Sequence, residues 1–199
     1  MKKFLRHNIF ALCVVSFSLA SFLTAPFLSA EITLREKLQK ADKLSKDGFE
    51  AASEARRVGD LGLAKSALEN ANEATVILSE VVEEASLVIT EVLDKMKKED
   101  YCSAAEAALT THYNIAKATT QTIYASSYIA QTSTSPKTVS ESREIFKDAN
   151  ELIQKLDQIQ KRIIEILRAC GIEPIIPEPY KLPEEEKLLI KEIETASPI

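Results

Sequence analysis

Between Asp60 and Asp100 the residues Ala64, Ala67, Ala71, Ala74, Leu78, Val81, Ala85, Val88 and Val92 follow an unbroken 3,4 rhythm. Such a rhythm is the seam of a long helix packed against other helices. A second row, Leu68, Val82, Ile89 and Met96, widens the apolar stripe beyond what a two-stranded zipper buries, toward the broader face of a multi-helix bundle. Three further segments carry the same period. The fold class expected is all-α: an elongated, antiparallel, up-down four-helix bundle, coiled-coil-like in its packing, followed by a Pro-rich arm and a short C-terminal helix.

The first helix opens at Thr33, where Glu36 completes a capping box, and runs to about Val58. Its inward positions are Leu34, Leu38, Ala41, Leu44, Gly48, Ala51, Ala52, Ala55 and Val58, which shrink toward the C-terminal half. Gly59 and Asp60 supply a C-terminal glycine and the next N-cap in two residues, so the connection is a tight hairpin. Helix two then spans about 38 residues against about 26 in helix one, leaving roughly 18 Å of its apolar face uncovered.

Ser103 and Glu106 form a second capping box, which places the start of helix three there. Its seam, Ala105, Leu109, His112, Ala116, Thr119, Ile123, Ser126 and Ala130, is small and partly hydroxylated, and Tyr113, Tyr124 and Tyr128 flank it. The run from Thr132 to Pro136 breaks the helix. Helix four begins near Thr138 and ends at Gly171, with Ile145, Ala149, Leu152, Leu156, Ile159, Ile163, Ile166 and Cys170 along its seam, backed by Phe146, Ile153 and Leu167. Basic residues at Arg56 and Arg57, at Lys95, Lys97 and Lys98, and at Lys161, Arg162 and Arg168 read as cations near helix C-termini, where the macrodipole favours them. Gly48 to Ala74, two Ala-rich helices about Gly59-Asp60, resembles a single tetratricopeptide hairpin without a second copy one repeat later.

The first 30 residues read as an export signal: Lys2, Lys3 and Arg6, then an apolar run from Ile9 to Phe27, then Leu28-Ser29-Ala30 as the cleavage site. The apolar run is long enough to act instead as an inner-membrane signal anchor if it is retained. Cys13, preceded by Ala11-Leu12, lacks the setting of a lipidated cysteine. The organisation expected is therefore a signal at 1–30, a bundle at 31–171, and the arm with its amphipathic helix at 172–199. Loss of the first 30 residues removes three basic residues and no acidic one, taking the formal charge from −5 to −8. An acidic chain without a basic stripe is a poor binder of nucleic acid.

Export leaves Cys102 and Cys170, an even count suited to one disulfide in an oxidising compartment. Cys102 lies 33 residues before Ser135 and Cys170 lies 35 after it. A hairpin folded at that turn brings both to the same end, so a Cys102–Cys170 bridge is expected.

The arm carries Pro174, Pro177, Pro179 and Pro183, a composition that favours extended chain. Glu184-Glu185-Glu186 opens the terminal helix, which bears Leu188, Leu189, Ile190 and Ile193. Through Ile175, Ile176, Tyr180 and Leu182 the arm is expected to dock on the strip that helix one leaves bare.

The catalytic inventory is thin. Beyond the signal there is one histidine, His112; the chain has no tryptophan and four glycines, with no Gly-rich turn to cradle phosphate. Leu109 stands three before His112, where a di-iron bundle needs glutamate, and no Cys-x-x-Cys-His is present for covalent haem. No cofactor or metal is expected and no enzymatic activity. The function expected is that of an exported interaction or scaffold protein of the envelope or extracellular space, with a protein partner and a homodimer as one possible assembly. The alternative is a carrier holding a hydrophobic small molecule between helices three and four. The candidate binding surface comprises His112, Tyr113, Tyr124, Tyr128, Tyr180, Leu189 and Ile193.

Overall fold

The computed structural model describes residues 33–91 and 95–176. The export segment, the arm beyond Ile176 and the terminal helix, with Tyr180, Leu189 and Ile193, lie outside the described residues. The chain divides into two compact units, Met1–Glu36 and Lys37–Ile199, and the second holds nearly all of the described residues.

The described residues are all-helical, without strands: α1 (33–58), α2 (Leu61–Glu91), α3 (Lys95–Thr132) and α4 (Pro136–Ala169). The first turn forms as its residues require. Gly59 takes a φ of 74°, a left-handed conformation that glycine adopts without a Cβ penalty. Its N–H and that of Asp60 return to the Ala55 carbonyl at 2.8 and 3.2 Å. Asp60 Oδ1 accepts from the Leu63 N–H at 3.0 Å, capping α2.

The alanine seam of α2 is buried from Ala64 to Ala85, with Leu78 and Val81 fully enclosed. On α1 the inward row is Leu38, Ala41, Ser45, Gly48, Ala52 and Ala55, again with 3,4 spacing. Ser45 replaces the expected Leu44, which is half-buried; its hydroxyl donates to the Asp42 carbonyl at 2.8 Å, so a polar side chain is accommodated inside. Val58, at the end of the helix, is 50% exposed rather than inward. A Cβ on Gly48 would meet the Ala67 carbonyl oxygen and Asn70 Cβ, each at 3.3 Å. This is a close backbone approach of α1 to α2 that only a very small residue permits.

The second connection differs from expectation. α2 ends at Glu91 and α3 begins at Lys95, so Ser103 and Glu106 are interior to a 38-residue helix rather than its cap. Nothing between Lys95 and Glu106 is glycine or proline, and Ser103 faces outward, where a helix tolerates serine at little cost. The lysines at 95, 97 and 98 accordingly open a helix instead of closing one. The early stop also shortens α2 to 31 residues, within about 8 Å of α1. The bare strip inferred for the arm therefore shrinks from roughly 18 Å to about 8 Å.

α4 starts two residues before expectation. Ser135 is its N-cap, accepting from the Thr138 N–H at 3.4 Å, and Pro136 occupies the first turn, where a missing N–H costs nothing. The proline that ends one helix thus begins the next. The seam Ile145, Ala149, Leu152, Leu156, Ile159, Ile163 and Ile166 is buried as expected, joined by Ser142 and Leu167. Gly171, at φ 76°, follows the Cys170 cap, and the Ile172 N–H returns to the Leu167 carbonyl at 2.9 Å.

α3 packs on α2 and on α4, and α2 also touches α4. From α1, Asp42 accepts from Asn114 at 3.4 Å, Phe49 lies 4.6 Å beneath the Lys117 ammonium, and the Arg56 guanidinium sits 5.8 Å over the Tyr124 ring. α3 is therefore touched by all three other helices, and residues 121–127 are buried without a break. The expected single seam is too narrow for this: Ala108, Thr111, Ile115, Ala118, Thr122 and Ala125 are as enclosed as the seam itself.

Candidate functional site

The small residues of α3 have a consequence at its edge. Alanine and threonine on one side and isoleucine on the other do not fill the space between α3 and α4, and a groove of about 270 Å³ remains. Its α3 wall is His112, Tyr113, Ala116, Lys117 and Thr120; its α4 wall is Ile153, Leu156, Asp157 and Gln160; and Ile176 closes one side. The floor is apolar. The rim carries an amine, a carboxylate, an amide and hydroxyls.

His112 anchors the groove. Its Nε2 donates to the Leu156 carbonyl at 3.0 Å, a bond from a side chain of α3 to the backbone of α4. A carbonyl can only accept, so Nε2 carries the hydrogen. Burial lowers the imidazole pKa, against the smaller opposing effects of the Leu156 carbonyl and the nearby Asp157 charge. The ring is thus a neutral structural tie. Its bond to a backbone carbonyl leaves that nitrogen unable to serve as a base.

The disulfide sets where the groove lies along the molecule. Cys102 and Cys170 are at bonding distance, with Cα atoms 5.9 Å apart, as the spacing about Ser135 predicts. Farther in, His112 meets Leu156. After Cys170 the chain turns at Gly171 and is non-helical through 176. Along it Ile175 is 89% exposed while Ile176, at 51%, lies in the groove.

The tyrosines part company. Tyr113 lines the groove. Tyr128 is 41% exposed, and Tyr124 is only 4% exposed, its ring covered by Arg56 and contributing to the core instead of to a surface. Lys117, Thr120, Asp157 and Gln160 are groove residues that sequence reasoning did not single out, whereas Ile153 is expected behind the α4 seam and Ile176 in the arm. A shallower depression of about 350 Å³ lies between α1 and α3, lined by Asp42, Ser45, Lys46, Phe49, Asn114 and Lys117. Lys117 borders both.

Two hydroxyls in α3, Thr111 Oγ1 and Ser127 Oγ, are buried without a hydrogen-bond partner among the described residues, whereas Thr119 and Thr122 bond back to the Ile115 and Ala118 carbonyls at 2.9 and 3.0 Å. Among the described residues no group of three or more His, Cys, Asp or Glu is placed to hold a metal ion, and no helix is long and apolar enough to cross a membrane. No family model, curated protein or solved structure matches this chain.

Proposed function

We propose that this chain is an exported, non-enzymatic, antiparallel up-down helical bundle that binds a partner protein by taking an extended apolar segment into the α3–α4 groove. The observation that carries the reading is Ile176: one isoleucine of non-helical chain already lies against the apolar floor, with its neighbour Ile175 turned to solvent. An extended peptide that alternates inward and outward side chains meets such a groove in the same way. The successive pairings of 102 with 170 and 112 with 156 support opposite directions for α3 and α4, and a disulfide suits an oxidising compartment.

At about 270 Å³ the groove lies near the lower bound of small-molecule sites, so the presence of Ile176 at it, rather than its volume, favours a peptide side chain over a carried hydrophobe. Peptide-display selection tests the proposal. The intact protein with Ile176→Ser, which frees the groove, should enrich peptides bearing spaced β-branched or leucine side chains, and adding Ile153→Glu should abolish that enrichment. Peptides indifferent to Ile153→Glu, or no enrichment at all, would refute it.

A further inference from the structure

His112 has two ring nitrogens, and the fold uses one of them. Nε2 carries the hydrogen and donates it to the Leu156 carbonyl at 3.0 Å. In a neutral imidazole the other nitrogen then holds a lone pair and can only accept. Among the described residues no group donates to Nδ1. Nor is this atom sealed in the core, as the Thr111 and Ser127 hydroxyls are. The ring is only 6% exposed and borders the α3–α4 groove, so the groove is the space open to the lone pair.

An acceptor in so dry a setting needs a donor. A held water serves poorly, because it wants several polar partners of its own, and the floor beside the ring is Ala116, Ile153 and Leu156, with Lys117, Asp157 and Gln160 out at the rim. The segment proposed above brings the donor with it. An extended chain carries a backbone N–H on every residue but proline, and each N–H that leaves water must find an acceptor. Asp157 and Gln160 could accept only by giving up rotamer freedom. Nδ1 gives up none, because the Nε2 bond and burial already hold the ring.

We infer that Nδ1 of His112 is the acceptor by which the groove selects its ligand. An apolar side chain seated on the floor must arrive with a backbone N–H beside it, so a segment with proline or an N-substituted residue at that place is refused, as is a hydrocarbon without a donor. The inference rests on the groove's taking an extended apolar segment and adds the residue that sets its specificity.

The probe is a short capped peptide alternating isoleucine and serine, added to the intact protein carrying Ile176→Ser and isotopically labelled histidine. On saturation the Nδ1 resonance of His112 should move while that of Nε2 stays, since one nitrogen gains a bond and the other keeps its own. Replacing the amide N–H groups of the peptide one at a time by ester oxygens should weaken binding about tenfold at one position, and adding His112→Phe should erase that position's distinction. The nitrogen resonances need no change at His112, so they decide the matter even where His112→Phe fails to fold. Peptide bound with Nδ1 unmoved, or an ester scan identical in the two proteins, overturns the acceptor role and leaves the groove a peptide site; no binding at all removes both.

Discussion

At the scale of single residues, His112 is the side chain whose chemistry the fold changes most. Its imidazole is held neutral by burial, with Nε2 on the Leu156 carbonyl. A base whose pKa is lower folded than unfolded is bound by more protons in the unfolded chain, so protonation favours unfolding. Its contribution is therefore complete above the ordinary value of 6.5 and is lost as pH falls from there through the folded pKa. Urea unfolding at pH 7.5 and pH 5.5 should show a lower midpoint at the acid value, and His112→Gln, which keeps a donor for the carbonyl, should narrow that difference. An equal pH response in both proteins would contradict the assignment. The cysteines act at the same scale, and their pairing follows from counting residues either side of Ser135.

At the scale of elements, the α1–α2 contact depends on the absence of a side chain. Gly48 faces the Ala67 carbonyl, a backbone atom that cannot swing aside. Gly48→Val is expected to lower stability by about 1–3 kcal/mol, the usual cost of overpacking, measurable as a drop in denaturant midpoint. An unchanged midpoint would mean that the helices are not apposed there.

The same scale explains what could be read from sequence. Four helices, the Gly59-Asp60 turn, the seams of α2 and α4 and the Gly171 stop follow from periodicity and turn chemistry, because each signal is local. The start of α3 does not. Ser103 and Glu106 satisfy a capping pattern, but the pattern describes a cap only where a helix begins, and α3 has already begun at Lys95. Nor does a wheel projection tell how many helices surround α3. Its hydroxylated residues read as a thin seam, whereas the contacts from Asp42, Phe49 and Arg56 add α1 to the α2 and α4 neighbours that already pack on it. The groove is legible in part: its position between α3 and α4 and its residues His112 and Tyr113 are expected, but no local signal marks Lys117, Asp157 or Gln160.

At the scale of the whole molecule, the Cys102–Cys170 bond closes a segment with a sequence separation of 68. The chain-entropy account gives such a closure about 4 kcal/mol, with native strain reducing it. Cys102→Ser with Cys170→Ser should therefore lower the unfolding free energy by up to that amount, with helicity retained at low temperature. Because the bond also fixes the root of the segment leading to Ile176, its loss should disturb NMR signals of the groove as well as those of the bundle end. Groove signals that stay fixed would disconnect the two. The most direct measurement is a shift-perturbation map of the isotopically labelled intact protein carrying Ile176→Ser, titrated with a free peptide bearing spaced isoleucine and leucine side chains. The account predicts perturbations gathered on Ala116, Lys117, Thr120, Ile153, Asp157 and Gln160. Perturbations centred instead on the outer face of α2 around Val76 and Leu87, or none at millimolar peptide, would contradict it.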